Sequence, residues 1–279
     1  MKTFGALVLS LALAGFGCSS TADYSPSANG DAGGAGGAAG LSGGGGGGGL
    51  AGASAPATVA SSCPDSGGPV DPTALIDDME ATGPTIPMEG GRNGSWWAGG
   101  DMLSPGATID PNGDAPSEVI PGGGRCGSLH AKHVTGQGFT SWAELSVSMR
   151  YGAVDGGTSG LLPYDAHFRT GLTFWARIGD TSAAQVRLAV TDKYTRPEGG
   201  ICDVNAATGP TACYDNFGVD LKPISKAWTQ YRIPFAGLGQ RNFGLQEPTG
   251  LDTSAIYTIE FDFYPNEVFD FWIDDISFY

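Results

Sequence analysis

The sequence predicts an all-β domain, a sandwich of two sheets, placed after a long flexible tether. Helical periodicity is nearly absent beyond residue 62. Short runs rich in aromatic and β-branched residues recur instead, separated by Gly, Pro, Asn and Asp clusters. One of these runs, Leu172, Phe174, Ala176 and Ile178 alternating with Thr173, Trp175 and Arg177, has a single apolar face, the mark of a strand on a core.

The elements follow in order. Lys2, an apolar run from Phe4 to Phe16 and then small residues make residues 1–18 a secretory signal, too short to remain as a membrane span. Leu13 to Ser20 resembles a bacterial lipobox with Cys18 as the acylated residue. Gly15 stands where that pattern has a branched aliphatic residue, and Ala12-Leu13-Ala14 offers a conventional cleavage site, so both processing routes are open. Residues 19–62 are dominated by Gly, Ala, Ser and Thr, including an unbroken Gly43 to Gly49, and can form no apolar face; they read as a disordered linker. The folded domain is expected over 63–279, a length sufficient for one stable sandwich. Its clearest strands are expected at 128–133, 142–149, 171–178, 185–191, 228–234, 256–264 and 271–278, with a further acidic strand starting at Leu75.

Five cysteines occur; with Cys18 given to lipid, an even four remain in an exported chain, which favours two disulfides. Cys202 and Cys213 bracket a polar hairpin, and Cys63 with Cys126 follows by elimination. No Cys-x-x-Cys spacing supports a zinc site. A net charge of −15, from 14 basic and 29 acidic residues without a basic run, excludes nucleic acid as a partner.

Two regions carry carboxylates on strands. Residues 271–278 read Phe-Trp-Ile-Asp-Asp-Ile-Ser-Phe, and strict alternation sends Asp275 to the face of Phe271 and Ile273, and Asp274 to that of Trp272 and Ile276. Burying an unpaired carboxylate costs several kcal/mol, so a cation or a set of donors is expected there. If the strand at Leu75-Ile76-Asp77-Asp78-Met79-Glu80 pairs with the terminal one, the carboxylates converge as calcium requires.

The order of Ile76-Asp77-Asp78 with Glu80, Gly171-Leu-Thr-Phe-Trp-Ala176, Val186-Arg-Leu, Trp228 to Phe235 and the terminal Phe-Trp-Ile-Asp-Asp-Ile resembles jelly-roll carbohydrate-binding modules, family 11 in particular, and galactose-binding-like sandwiches. The resemblance covers 75–279 and implies a two-sheet jelly roll that binds a polysaccharide or oligosaccharide without cleaving it. It also implies a structural Ca2+, with Glu80 and Asp275 as ligands and Asp274 behind them. The insertion holding Cys202 and Cys213 departs from the general pattern.

Glycan recognition needs aromatic faces and planar polar groups. Of Trp96 and Trp97, adjacent in an extended run, one must point away from the core, and Trp97 is expected outward. Asp192, Tyr194 and Arg196, with Asp215 and Asn216 on the other limb of the cysteine hairpin, form the expected glycan-contacting edge; the competing reading is a surface pair of Asp192 with Arg196. His130 and His133 fall on opposite faces of a strand, and His-Glu-x-x-His and Gly-x-Ser-x-Gly are both absent, so no catalytic residue is assigned. The expected function is non-catalytic carbohydrate binding at the cell surface, on an outer-membrane lipoprotein or, with conventional cleavage, a secreted or periplasmic protein. The alternatives are an adhesion protein using its faces for protein contacts, and a glycoside hydrolase or lyase. Aromatics on the exposed sheet face argue for glycan, bulky aliphatics for protein.

Overall fold

The computed structural model describes residues 71–154 and 158–279. The signal, the linker, Cys18 and Cys63 lie outside the described residues. Among the described residues there are fifteen strands: β1 (Leu75–Asp77), β2 (Trp96–Gly100), β3 (Thr108–Asp110), β4 (Gly113–Asp114), β5 (Ser117–Val119), β6 (His130–Gln137), β7 (Ala143–Ser148), β8 (Tyr151–Ala153), β9 (Ser159–Leu161), β10 (Gly171–Ile178), β11 (Val186–Val190), β12 (Phe217–Leu221), β13 (Thr229–Pro234), β14 (Thr258–Phe263) and β15 (Phe269–Phe278).

They build the two antiparallel sheets the sequence predicts. The first runs β13-β10-β15-β6-β3, with β1 also on β15 and β5 on β6; the second runs β12-β11-β14-β7-β2-β4. Strands β8 and β9 form a separate hairpin. One continuous core fills the space between the sheets. Leu172, Phe174, Ala176 and Ile178 of β10 meet Leu188 and Val190 of β11, Ile259, Phe261 and Phe263 of β14, and Trp96 of β2 there. Ring contacts such as Phe174 with Phe261 and Phe263 with Phe269 lock the two layers together. The strands with the strongest alternation are those legible in the sequence; β2, β3, β4, β5, β8, β9 and β12 are short or glycine-bearing and were not expected.

The terminal strand departs from strict alternation. Thr173 of β10 faces Ser277 and Trp175 faces Asp274, so Asp275 and Ile276 together oppose Phe174. Asp275 adopts φ +50° at this bulge. Phe269, Phe271 and Ile273 before it and Ile276 and Phe278 after it all reach the core. Neither aspartate does: the extra residue resets the phase, correcting the expectation that Asp275 shares a face with Phe271 and Ile273. Strand β1 pairs antiparallel with β15, Leu75 opposite Ser277 and Asp77 opposite Ile276, which brings the two acidic segments together. Asp77 itself is buried and accepts hydrogen bonds from Trp96 Nε1 (2.8 Å) and the Met79 amide (3.0 Å).

Candidate functional site

Alternation in the second sheet sends its apolar residues inward and leaves a polar outer face. The ladders place that face's residues in rows. Asp220, Arg187, Asp262, Glu144 and Gly99 follow one another across β12, β11, β14, β7 and β2; the next row is Gly218, Ala189, Glu260, Ser146 and Trp97. The first row is charged up to its glycine, while Gly218, Ala189 and Ser146 make the second row mostly small.

Over the first row opens a cleft of about 220 Å³, lined among others by Trp142, Glu144, Tyr214, Arg241, Asp262 and Tyr264. Trp97 is 36% exposed and continues the aromatic surface, its ring 6.4 Å from that of Trp142 and inclined by 25°. Its neighbour Trp96 is fully buried in the core. Opposite, Arg241 stands 5.4 Å over the Tyr264 ring, donates to the Tyr264 hydroxyl at 3.1 Å and pairs with Asp220 at 3.3 Å. The cleft lining contains no Leu, Ile, Val or Met.

The cysteine hairpin closes one side. Cys202 and Cys213 form a disulfide, as the sequence predicts. Both limbs converge on Glu260: Asn216 Nδ2 donates to it at 2.7 Å from one limb, and Arg196 pairs with it at 3.8 Å from the other. Tyr214, with φ +71°, lies against Arg196, whose guanidinium is 5.7 Å from its ring centre. Of the expected edge, then, Arg196 and Asn216 reach the face of the sheet. Asp192 and Asp215 do not present their carboxylates to a ligand. Asp192 is fully buried and accepts from the amides of Tyr194, Thr195 and Asp252, which fixes the turn after β11. Asp215, 1% exposed, accepts from the amides of Arg241, Phe243 and Gly244 and from Gln246 Nε2, pinning the segment that carries Arg241. At Asp192 the partners two and three residues on make a local turn, whereas Asp215 ties down a segment 26 to 29 residues further along the chain. The surface pair of Asp192 with Arg196 is not formed either, since Arg196 binds Glu198 and Glu260. Tyr194 is half-buried beside Lys193, whose ammonium is 5.1 Å from its ring.

Sequence reasoning missed Trp142, Glu144, Arg187, Arg241, Glu260, Asp262 and Tyr264. Glu144, Glu260 and Asp262 were readable as the polar phase of two strands, but the approach of β7 to β14 that joins them was not. Carboxylate oxygens of these three lie within 4.8 Å of one another. Burial raises the pKa of Asp262 to about 7, helped by repulsion from Glu260 and opposed by Arg187 and Arg241. Glu144 is raised well above its usual range, by burial first and then by Glu260 and Asp262. Glu260 is also raised by burial, with Arg196, Thr258 and Asn216 pulling it back.

The first sheet carries the expected calcium ligands on its outer side. Asp274 is fully buried, neither of its carboxylate oxygens accepts a hydrogen bond, and burial raises its pKa to about 6, with the Arg125 charge opposing the rise and Glu80 and Asp78 adding to it. The Ser128 hydroxyl is directed instead to Glu80 at 2.9 Å. Glu80 further accepts from the Leu129 amide at 2.9 Å and lies 3.3 Å from His130 Nδ1. An orphaned buried carboxylate is what an oxygen-seeking cation relieves, but among the described residues Asp274, Glu80 and Asp78 do not gather their oxygens within 4.8 Å of one another as Glu144, Glu260 and Asp262 do. Asp275 fits less well than the sequence predicts: the bulge turns it away, and its carboxylate pairs with Arg125, which in turn lies 4.1 Å from the Trp175 ring centre.

No curated protein matches the chain significantly. Among solved structures, the fold is similar to the family 11 carbohydrate-binding module from Clostridium thermocellum in complex with a β-1,3-1,4-mixed-linked tetrasaccharide, with 16% identity over 74% of this chain and 94% of that one and a TM-score of 0.44. It is also similar to the family 30 module of the cellulosomal cellulase Cel9D-Cel44B of the same organism, with 16% identity, 74% and 96% covered and a TM-score of 0.45. Residues 90–279, well over half of the chain, match the family described as carbohydrate binding domain 30. The chain therefore belongs to that family and contains a non-catalytic carbohydrate-binding module.

Proposed function

We propose that the outer face of the second sheet is where the glycan binds, lying along the cleft from Trp97 and Trp142 towards Arg241 and Tyr264. One observation carries this reading: aromatic rings and planar polar groups meet in a single cleft that no branched aliphatic side chain or methionine lines. Rings stack on the C–H face of a pyranose, while Glu144, Asp262, Asn216 and Arg241 offer acceptors and donors at its hydroxyl edge. A surface made for protein contact presents apolar anchors at its centre, and this one presents charge.

The carboxylate locus on the opposite sheet, Asp274 and Glu80 with Asp78 beside them, supports a Ca2+ that braces β1 against β15 and the segment preceding β6. It serves stability and stands apart from the glycan face. A signal and a lipid on Cys18 would hold the module at the outer membrane by way of the linker.

Titration calorimetry of the protein against mixed-linkage β-glucan, xylan and mannan tests the glycan reading. Saturable binding to at least one polymer is expected, weakened about tenfold, or about 1.4 kcal/mol, by Trp142→Ala. A folded protein that binds none, or a Trp142→Ala variant that binds undiminished, overturns it.

A further inference from the structure

Trp97 and Gly99 are successive outward positions of β2. Gly99 sits in the middle of a strand at an ordinary extended conformation, where glycine weakens pairing and any other residue would serve the backbone better. What the position demands is room. A β-carbon on residue 99 would overlap the distal ring of the Trp97 indole, closest to Cη2 and Cζ2 and 2.9 Å from Cζ3. The indole therefore folds down along its own strand into the space where a side chain at 99 would stand. Gly99 is the cross-strand partner of Glu144, and Trp97 that of Ser146, so the ring runs from the second row of the sheet into the row that floors the cleft. There it meets Trp142 at 6.4 Å and 25°.

We infer that Gly99 is a specificity-determining residue of the glycan face: by leaving its side-chain space to Trp97, it sets the tilt of that indole and so the direction in which a stacked sugar presents its hydroxyls to Glu144. The inference rests on the glycan reading above. A residue with any side chain at 99 would raise the indole off the strand and separate it from Trp142. A sugar stacked on the raised ring would no longer lie beside the carboxylate row.

The test is a double-mutant cycle in the full chain, with titration calorimetry against mixed-linkage β-glucan, xylan and mannan. Gly99→Ala should weaken binding of the preferred polymer about tenfold and change the ratio of affinities among the three. Trp97→Ala should weaken it at least as much. The double variant should bind no more weakly than Trp97→Ala alone, because Gly99 acts only through that ring. The exciton signal of the Trp97–Trp142 pair in circular dichroism should change in Gly99→Ala, a response that a general loss of stability does not produce while the melting temperature holds. If Gly99→Ala proves unstable, Trp97→Phe with Gly99→Ala replaces it: phenylalanine lacks the distal ring, so the pair should fold and bind as Trp97→Phe does. Wild-type affinities and ratios in Gly99→Ala, or additive losses in the double variant, overturn the inference while leaving the glycan face in place. An unaffected Trp97→Ala variant overturns both.

Discussion

Asp274→Asn is the most informative single change, because Asp274 is a buried carboxylate that no hydrogen bond satisfies. Its pKa stands at about 6 in the folded protein against 3.8 for an exposed aspartate, the larger part of the rise coming from burial. At 1.36 kcal/mol per pH unit, a rise of about two units costs the metal-free fold about 3 kcal/mol once the group is ionised. Between pH 3.8 and 6 the folded state holds the proton that the unfolded chain has lost, so stability falls as pH rises through this window. The metal-free protein should therefore gain about 2 kcal/mol from this group on acidification from pH 7.5 to 4, roughly 4–8 °C in melting temperature for a domain of this size. Asparagine abolishes the titration. Its own burial cost displaces the whole curve and leaves the slope alone, so the difference between wild type and variant, followed by thermal melts in EDTA across pH, isolates the carboxylate. Adding calcium at pH 7.5 should raise the wild-type melting temperature, by about 2.7 kcal/mol equivalent at a hundredfold excess over Kd, and leave Asp274→Asn unchanged. A wild type and a variant with parallel pH curves would refute the burial argument, and equal responses to calcium would refute Asp274 as a ligand.

Four further outcomes follow from the geometry. Asp262→Asn should raise the melting temperature at pH 8.5, where the carboxylates of Glu144, Glu260 and Asp262 repel one another, and the gain should shrink on acidification below pH 7 as Asp262 takes up its proton; a gain that is the same at pH 5 and pH 8.5 would disprove the repulsion. Reducing the Cys202–Cys213 bond, whose partners are 11 residues apart, should cost about 3 kcal/mol by chain entropy and loosen the limbs that carry Arg196 and Asn216, so denaturant melts and glycan titrations of Cys202→Ser/Cys213→Ser should both weaken. Trp96→Phe removes the Nε1 donor of buried Asp77 and should cost about 1–3 kcal/mol in urea unfolding, whereas the outward Trp97→Phe should leave stability within about 0.5 kcal/mol of wild type. Asp215→Ala frees three amides and the Gln246 side chain at once and should lower glycan affinity through the displaced Arg241 segment, a loss that titration calorimetry at a temperature well below the melt would register.

What the sequence conveyed and what it withheld divide along a physical line. Strands β10, β11, β13, β14 and β15 could be read because alternation is a local property and each of them has one face in the core. The same locality placed Trp97 outward and Trp96 inward. The proposed glycan face depends on which strands become neighbours, and no local pattern carries that: Glu144 and Asp262 are 118 residues apart, yet they stand directly opposite across β7 and β14. Asp192 and Asp215 illustrate the reverse error. They sit beside aromatic and cationic residues in a polar insertion, the composition of a binding edge, but their carboxylates are consumed by backbone amides. Asp192 meets the amides two and three residues on in its own turn, and Asp215 meets those of Arg241, Phe243 and Gly244, 26 to 29 residues away, a long-range pairing that no local pattern reveals.

The paired aspartates of β15 show how one inserted residue assigns two roles. Without the bulge, alternation would turn Asp275 into a core of phenylalanines and isoleucines, where no partner exists to offset its desolvation. With it, Phe271 and Ile273 keep the core before the insertion and Ile276 and Phe278 regain it after, while Asp274 and Asp275 both stay on the outer side. They then diverge. Asp274 is enclosed without donors, and Asp275, at φ +50°, reaches Arg125. The bulge thus separates a buried carboxylate that no donor satisfies from one already neutralised by a guanidinium. Arg125→Ala tests the division: it should free Asp275 and remove a charge that opposes the rise of Asp274, so the titration of Asp274 should move further above pH 6 while calcium stabilisation persists. A calcium response lost with Arg125 would mean that Asp274 and Asp275 act as one site after all.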